Sequence, residues 1–337
     1  MISIDYHDDL NEVKADPQLA ALLAAPIALS PFDRLEWWRG LAEECGMHPY
    51  IAVARDGDRR AALAFVFAKR RLESLASWYC FRVRPAISPG NDDDDLLEAM
   101  ARDLTGEAPH IVLAPLPDEN GEATRLAAAF RRAGWTVFRR RCGINHVLRV
   151  QGRSFEQFLA GRPGELKTTL ERKAAKVSVT IETSFNPESW RAYEVIYANS
   201  WKPTEGSPAF LRRFAEEEGA AGRLRLGIAR AGDEPVAAQF WTVEAETAFI
   251  HKLAHAETSK KLSPGTTLGA ALFAHVIDRD KVNLIDFGTG DDAYKRNWME
   301  EIRPRYRLEM FRPGWPGNWH AIVRELLRNL AGRANHA

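Results

Sequence analysis

The sequence predicts a mixed α/β fold divided into two domains. Strand-type and helix-type patterns alternate along all 337 residues. Hairpin signals at residues 56–58 and 231–234 predict antiparallel strand pairs in both halves. A chain of this length is sufficient for two domains of ordinary size. Residues 152–164 are polar and contain several glycines, so we place the boundary there, with domains 1–151 and 152–337.

Composition excludes several classes of protein. Hydrophobic residues make up 45% of the chain and charged residues 27%, which is typical of a globular protein. The formal net charge is zero, so no overall attraction to nucleic acid is expected and DNA is not an expected partner. The N-terminus lacks a signal-peptide pattern, and no apolar run approaches the roughly 20 residues of a membrane span. Three scattered cysteines fit a reducing compartment, and we expect a cytoplasmic protein.

The N-terminal half alternates between the two kinds of element. The acidic run Asp92 to Asp95 is compatible with calcium binding, but it lacks the alternating ligands and central glycine of a calcium loop. A helix start is favoured, because carboxylates stabilise the positive end of the helix dipole. Ser30 is a candidate cap for the first helix. The predicted strands are 1–6, 50–55, 61–69, 75–81, 110–115 and 136–150, and the predicted helices are 31–45, 92–104 and 121–134.

The C-terminal half repeats this plan without a residue-level repeat. Its first helix is basic, and we interpret it as an exposed face, with a ligand-binding patch as the alternative. The last helix is amphipathic and aromatic, so it packs on its own domain or, alternatively, contacts a membrane surface. The predicted helices are 165–176, 187–200, 208–218, 266–277 and 319–330, and the predicted strands are 177–184, 224–230, 235–244, 248–253, 282–287 and 305–311.

The stretch 247–298 carries the main functional signal. A strand is followed by the turn Ser263-Pro264-Gly265, a helix, a second strand and the loop Gly288-Thr289-Gly290. Exposed backbone N–H groups at the start of such a helix favour an anion such as a pyrophosphate.

Several motifs in this part of the chain follow each other in a recognisable order. They are Ser200-Trp201-Lys202, Lys252-Leu253-Ala254-His255, Leu262 to Gly265, and Asp286 to Asp291 followed by Tyr294-Lys295 and Trp298. This order resembles the GNAT superfamily of acyltransferases, in particular the CelD-like branch, which is similar to the FemAB and FemX peptidoglycan aminoacyltransferases. The common phosphate loop Q/R-x-x-G-x-G/A is absent, and residues 263–267 take its place.

The resemblance implies tandem GNAT-like domains, each with a mixed, mostly antiparallel twisted sheet flanked by helices. It implies acyl-CoA as the co-substrate and catalysis in the C-terminal domain. The N-terminal domain is expected to be non-catalytic and to lie on the acceptor side, since it has no counterpart of the glycine loop at 288–290.

Acyl transfer to an amine needs a neutral nitrogen and stabilisation of a developing oxyanion. An α-amine with a pKa near 8 costs only ~1.4 kcal/mol to deprotonate at neutral pH, so a carboxylate, a histidine or a water chain is an adequate base. Each candidate also has a structural interpretation, such as a loop-fixing hydrogen bond for Asp286 or an ion pair for Lys252. The candidate catalytic residues are Asp286, Asp291, Tyr294, Lys295 and His255.

The remaining candidates bind the two substrates. Ser263, Gly265, Thr266 and Thr267 are expected to contact the pyrophosphate of the donor, and Trp201, Lys202, Gln239 and Lys252 the acceptor. No cluster of His, Cys or Asp has ligand spacing, so no metal is expected.

The predicted function is transfer of an acyl group from acyl-CoA to an amine of a cell-envelope or exopolysaccharide precursor, a glycan or peptide. The acceptor class is implied by the resemblance alone. Two alternatives stay open: an aminoacyl-tRNA-dependent transferase like FemX, and a non-catalytic GNAT pair that binds a ligand and regulates an assembly.

Overall fold

The computed structural model describes residues 1–25, 27–88 and 94–334, and side chains as far as residue 328. Its strands are β1 (Ser3–His7), β2 (Pro49–Asp56), β3 (Arg59–Ala68), β4 (Arg71–Ser74), β5 (Ala86–Ile87), β6 (His110–Leu116), β7 (Thr136–Arg149), β8 (Ser178–Glu182), β9 (Leu224–Ala231), β10 (Glu234–Glu244), β11 (Thr247–His255), β12 (Leu284–Thr289) and β13 (Glu301–Phe311).

The α-helices alternate with these strands, as the sequence predicts. They are α1 (Leu10–Ala15), α2 (Pro17–Leu22), α3 (Leu35–Cys45), α4 (Asp94–Asp103), α5 (Glu122–Arg132), α6 (Phe155–Ala160), α7 (Gly164–Lys173), α8 (Pro187–Ala198), α9 (Pro208–Ala220), α10 (Pro264–Ala274), α11 (Ala293–Trp298) and α12 (Trp319–Ala334).

The chain forms two compact units. The first comprises residues 1–143 together with the chain from residue 304, and the second comprises residues 144–303. This division differs from the predicted domains 1–151 and 152–337. The chain from 304 returns to the first unit because β13 pairs with β6, where Leu308 is opposite Leu113 and both are buried in that core. Residues 152–164 include α6, whose start carries a capping box formed by Ser154 and Gln157.

In the first unit, β1, β2, β3 and β4 form an antiparallel meander. β4 then pairs with β6 in parallel, and β13 lies antiparallel to β6. Helices α4 and α5 cover this sheet, and the buried side chains of Leu63, Phe65, Met100 and Phe130 belong to one core. α12 packs on the unit through Ile322, which contacts Phe138 and Phe311.

The second unit has the same order of pairings. β8, β9, β10 and β11 are antiparallel neighbours, β11 pairs with β12 in parallel, and β7 lies antiparallel to β12. Helix α10 packs closely on β9, since a Cβ atom at Gly227 would lie 2.8 Å from Leu268 of that helix. Phe273 of α10 stacks on Trp298, with ring centroids 4.6 Å apart. This core fixes the start of α10 relative to β10, β11 and β12.

Some predicted elements differ from those observed. The strand predicted at 75–81 is wrong, because β4 ends at Ser74 and the following run is apolar for another reason: Leu75, Tyr79 and Phe81 are buried in a loop. The helix predicted at 31–45 is a 3₁₀ turn followed by α3, and the hydroxyl of Ser30 donates to Asp33 instead of capping the helix.

The helix predicted at 266–277 begins earlier, at Pro264, because proline is well suited to the first helical position, and it ends in a π turn at His275–Arg279. Of the acidic helix start, Asp92 and Asp93 lie outside the described residues. Asp94 and Asp95 form ion pairs with Arg125 and Arg59, which accounts for them without calcium.

The C-terminal helix has one buried side and one exposed side. Ile322 and Glu325 are buried, whereas Trp319, Leu326 and Leu327 are about half exposed or more. The predicted packing therefore involves part of the helix surface, and membrane contact through the exposed side stays a prediction.

Candidate active site

The two parallel strands of the second unit separate partway along their length. They pair at Thr247 with Leu284, Ala248 with Ile285 and Phe249 with Asp286. Beyond these pairs β11 continues to His255 and β12 to Thr289. β11 stays attached to β10, through a bulge at residue 251. Residues 250–255 of β11 therefore lie outside the ladder with β12, and strand groups facing an opening of this kind are free to bind an extended ligand.

The start of α10 is electropositive. Ser263, with φ 50°, precedes the helix, and its hydroxyl accepts a hydrogen bond of 2.9 Å from the Lys173 ammonium of α7. Lys260 and Lys261 are exposed just before it. The helix dipole adds a partial positive charge at the same end. The alternative interpretation of the basic helix, a ligand-binding patch, thus receives support from Lys173, which the exposed-face interpretation did not single out.

Fewer backbone N–H groups are available here than the sequence suggested. The N–H groups of Thr266 and Thr267 both donate to the Ser263 carbonyl, at 3.1 and 3.3 Å. Within the described residues, the Gly265 N–H has no backbone partner, and the buried hydroxyl of Thr267 has no hydrogen-bond partner. Of the four predicted pyrophosphate contacts, Gly265 and Thr267 thus retain unused hydrogen-bonding groups.

Gln239 and Tyr294 hold the first turn of α10 in place. The Gly265 carbonyl accepts hydrogen bonds of 3.0 Å from the Gln239 side-chain amide and from the Tyr294 hydroxyl. The other end of the Gln239 amide accepts from Trp241 at 2.9 Å. Burial raises the pKa of Tyr294 well above its usual range. These contacts give both side chains a positioning role, and a proton-donor role for Tyr294 would require its bond to Gly265 to break.

Asp286 fixes the loop that follows β12. Its carboxylate accepts a 2.8 Å hydrogen bond from the Gly288 N–H and two of 3.2 Å from the side-chain amide of Asn145 on β7. Gly288 has φ 66°, a conformation that favours glycine. Asp286 is only 5% exposed, so these donors compensate a buried carboxylate.

Lys295 is a buried cation beside that loop. Its ammonium donates to the Thr289 carbonyl and lies 5.1 Å from the centre of the Phe287 ring. Burial lowers the pKa of Lys295, and Lys202 acts in the same direction, while Asp292, Asp286 and Asp291 oppose the shift. A cation of this kind is well suited to stabilising a negative charge that develops nearby.

Asp291 has a partner that the sequence did not predict. It accepts a hydrogen bond of 3.1 Å from Nε2 of His146, whose side chain is almost completely buried in β7, and it also pairs with Arg296 at 2.8 Å. Asn145 and His146 are neighbouring polar residues in an otherwise apolar part of a strand. That pattern was the available signal, because a buried polar pair in a strand requires partners.

Three predicted residues from different segments meet near the start of α10. The Trp201 ring lies 4.3 Å from the ring of His255, centre to centre. A Cβ atom on Gly265 would lie 3.7 Å from Cδ2 of that histidine. The Lys202 ammonium lies 5.2 Å from the centre of the Trp201 ring. The structure therefore places His255 and the Trp201-Lys202 pair beside the helix start.

Lys252 lies at a cavity instead. Its ammonium forms an ion pair of 2.9 Å with Glu205, so the ion-pair interpretation describes it. The same Glu205 and burial raise the pKa of Tyr197 to about 12. The cavity has a volume of about 350 Å³ and is lined by residues of α8, α9 and the loop that joins them: Trp190, Tyr193, Glu194, Tyr197, Ala198, Lys202, Pro203, Thr204, Glu205, Pro208 and Leu211.

Two structural searches concern metals and membranes. In the part of the chain that the structure describes, three or more His, Cys, Asp or Glu side chains nowhere come together as a metal site would require. Over the same residues, every helix is too short or too polar to cross a lipid bilayer.

The chain matches a known family over much of the second unit. Residues 149–296 match the model described as an acetyltransferase (GNAT) domain. This segment is a GNAT domain. It contains β11, β12 and the start of α10, and so the separating strands and the electropositive helix start belong to it. A search of curated proteins finds no match.

Solved structures extend the likeness to most of the chain. The chain is similar to the C-terminal domain of a putative lysylphosphatidylglycerol synthetase from Agrobacterium fabrum, with 12% identity, coverage of 91% of this chain and 93% of that one, and a TM-score of 0.59. FemX is similar at 10% identity, 90% and 96% coverage, and a TM-score of 0.59. A tandem GNAT protein from the clavulanic acid biosynthesis pathway has 14% identity, 91% and 98% coverage, and a TM-score of 0.54. The predicted tandem GNAT-type fold is confirmed.

Proposed function

We propose that the second unit transfers an acyl group from acyl-CoA to an amine. The observation that carries this proposal is the separation of β11 from β12 beside the electropositive start of α10. A linear donor with amide groups can hydrogen-bond to the free edge of β11 as an added strand does. Its pyrophosphate then has Lys173, the Gly265 N–H and the Thr267 hydroxyl within the same region of the fold.

The transfer step requires no covalent intermediate on the protein. The neutral amine attacks the thioester carbonyl carbon, a C–N bond forms, and the C–S bond breaks to release the thiolate of CoA. The nitrogen loses one proton and the thiolate gains one. Asp291, supported by His146, is our candidate to accept the proton, and Lys295 is our candidate to stabilise the departing thiolate.

The acceptor class is proposed from the family resemblance, as an amine of a cell-envelope or exopolysaccharide precursor. The fold likeness to FemX is compatible with it.

An aminoacyl-tRNA-dependent transferase is the second candidate. The fold likeness to FemX and to a putative lysylphosphatidylglycerol synthetase favours it, and the chemistry differs only in that an ester replaces the thioester. The zero net charge of the chain is unfavourable for a large RNA partner. A ligand-binding pair without turnover is the third candidate.

Calorimetric titration of the full chain tests these candidates. The probes are acetyl-CoA, a long-chain acyl-CoA, free CoA and a charged tRNA. We expect binding of the CoA series, and weaker binding in Gly265→Trp, whose new side chain occupies the helix start. Thermal unfolding checks that this variant is folded. Binding of the tRNA alone would replace acyl-CoA with aminoacyl-tRNA as the donor, and CoA binding without transfer to any amine would favour the regulatory pair.

A further inference from the structure

The cavity between α8 and α9 has aromatic and apolar walls. Trp190, Tyr193 and Tyr197 come from one face of α8, and Pro208 and Leu211 come from α9. Liquid water occupies ~30 Å³ per molecule, so a cavity of about 350 Å³ has space for roughly a dozen non-hydrogen atoms. That is the size of a free amino acid or of one residue at the end of a larger molecule.

Three charged side chains line this cavity, and one of them is neutralised from behind. Glu205 forms its ion pair with Lys252, which extends from β11. Their charges cancel, so Glu205 adds no net charge to the cavity wall. The other two charged residues are Glu194 and Lys202.

Glu194 keeps its charge. Its Oε1 atom accepts a 3.0 Å hydrogen bond from the indole N–H of Trp190, which orients the carboxylate. Across the described residues no cation lies within ion-pair distance of it. Since the carboxylate is partly buried, an ammonium group in the cavity would be a favourable partner.

Lys202 keeps its charge as well. Its ammonium contacts the Trp201 ring, and no carboxylate in the described part of the chain lies within ion-pair distance of it. Burial lowers the pKa of Lys202, and Asp292 partly offsets that effect from a longer distance. The cavity wall therefore presents one carboxylate and one ammonium without partners, separated by aromatic surface.

We propose that this cavity binds a zwitterion with an apolar body, namely an α-amino acid or the amino-acid end of a larger acceptor. Glu194 receives its ammonium group, Lys202 its carboxylate, and the rings of α8 its side chain. The proposal rests on the proposed function and deepens it, because the bound molecule is the acceptor whose amine is acylated.

The two charges discriminate between acceptor classes. An amino sugar offers an ammonium to Glu194 but leaves Lys202 without an anion. A simple carboxylate or phosphate leaves Glu194 without a cation. A partly buried charge that loses water and gains no partner is unfavourable, so only a ligand with both charges satisfies both residues. Among cell-envelope precursors, this favours a peptide or amino acid over a glycan amine.

Calorimetry on the full chain tests the proposal with defined probes. They are L-phenylalanine, L-leucine and L-lysine, each also as its methyl ester and its N-acetyl derivative, and glucosamine. We expect at least one free amino acid to bind about tenfold or more tightly than either of its derivatives, since each derivative removes one charge-assisted contact.

Two substitutions separate the contributions of the charges. Lys202→Met should make a free amino acid and its methyl ester bind equally. Glu194→Gln keeps an acceptor for the Trp190 N–H, and it should remove the preference for the free amine over the N-acetyl form. Glu188→Gln is the control, because Glu188 is an exposed residue of the same helix and lies outside the cavity lining. It should leave every affinity unchanged.

Three results would overturn the proposal: no binding of any amino acid, equal binding of amino acids and their methyl esters by the wild type, or preference for glucosamine. Acetyl-CoA is titrated on the same preparation. Acetyl-CoA binding without amino-acid binding overturns the cavity assignment alone. Amino-acid binding with no acyl-CoA binding leaves the cavity assignment in place and overturns the acyl-CoA donor.

Discussion

The two units contain the same pair of parallel strands, and the pairs are used differently. In the first unit, β4 and β6 pair at three positions, from Arg71 with His110 to Glu73 with Val112. Immediately afterwards the Ser74 hydroxyl accepts a 3.0 Å hydrogen bond from the Ala114 N–H, so a side chain ties the two strands together. Phe32, Leu75 and Leu116 surround the remaining space there, a cavity of only about 20 Å³.

In the second unit, β11 and β12 also pair at three positions, and both strands then continue without further pairing to each other. The same topology thus yields a packed core in one unit and a candidate donor site in the other. The comparison indicates that the difference comes from the side chains that follow the last strand pair, and not from the order of the strands.

The helices that follow these strands differ in charge. The first turn of α4 contains Asp94 and Asp95, whereas the first turn of α10 contains no acidic residue and Lys173 lies beside it. An acidic helix start repels phosphate. The sequence Ser-Pro-Gly precedes both helices, at residues 88–90 and 263–265, and residues 89–93 lie outside the described part of the chain. The charges, and not this short motif, therefore distinguish the two helix starts.

The largest effect is expected from Asp286→Ala. The change leaves the Gly288 N–H and the Asn145 amide without their acceptor, at a cost of about 1–3 kcal/mol in the free energy of unfolding, and it disorders the loop beside Lys295. We expect the rate of acetyl transfer to fall at least about 100-fold. The control is Ser74→Ala, which removes the strand tie of the first unit. It should lower the melting temperature but not the rate, and a wild-type rate in Asp286→Ala would contradict the site assignment.

The helix starts are compared by changing their charge. Lys173→Glu should weaken CoA binding by about tenfold, because it removes a cation near the pyrophosphate and adds an anion. Asp95→Lys makes the opposite change on α4 and should leave CoA affinity unaltered. Calorimetric titrations at low and high salt are the measurement, and the difference between the proteins should shrink as salt increases. Equal weakening by both variants would indicate that the charges act nonspecifically.

The buried ammonium of Lys295 makes stability depend on pH. Because burial lowers its pKa in the folded protein, the unfolded chain binds more protons at this residue between the lowered pKa and the ordinary value near ~10.4. The free energy of unfolding of the wild type, relative to Lys295→Met, should therefore increase as pH rises through that interval. Urea denaturation at several pH values between 7 and 10 measures the difference. A difference independent of pH would show that the ammonium is not desolvated.

The smallest effect concerns the positioning role of Tyr294. A Cβ atom on Gly269 would lie 2.8 Å from the Tyr294 hydroxyl, so Gly269→Ala should displace that hydroxyl from the Gly265 carbonyl. We expect a loss of about 1 kcal/mol in unfolding free energy. The same substitution should be nearly neutral when Tyr294→Phe is already present. Tyr294→Phe alone should keep kcat within a few-fold, whereas a large loss of kcat would assign the hydroxyl a catalytic role.

Local patterns account for most of what the sequence predicted correctly. Hairpin signals placed β2, β3, β9 and β10, and the motifs from 247 to 298 placed the strand, turn and helix of the candidate site. These features depend on residues close in sequence. Contacts across the chain were not accessible in the same way. Asn145 and His146 lie before the predicted boundary, yet they contact Asp286 and Asp291 more than 100 residues later.

The cavity was missed for a related reason. Lys252 was correctly recognised as a cation that needs a partner in an apolar strand, but its partner, Glu205, lies in a loop with no regular pattern. Glu194 is one of several acidic residues on amphipathic helices, and nothing in the sequence distinguishes it from Glu188, which is exposed. Only the packing of α8 against α9 separates the two.

The exchange of strands between the halves of the chain has a consequence for synthesis. Residues 144–149 of β7 complete the sheet of the second unit, and residues 304–311 of β13 complete that of the first. A ribosome makes the chain from the N-terminus, and so β6 of the first unit waits, with one edge unpaired, until the whole second unit has been translated. The first part of the chain to be made is therefore among the last to finish folding.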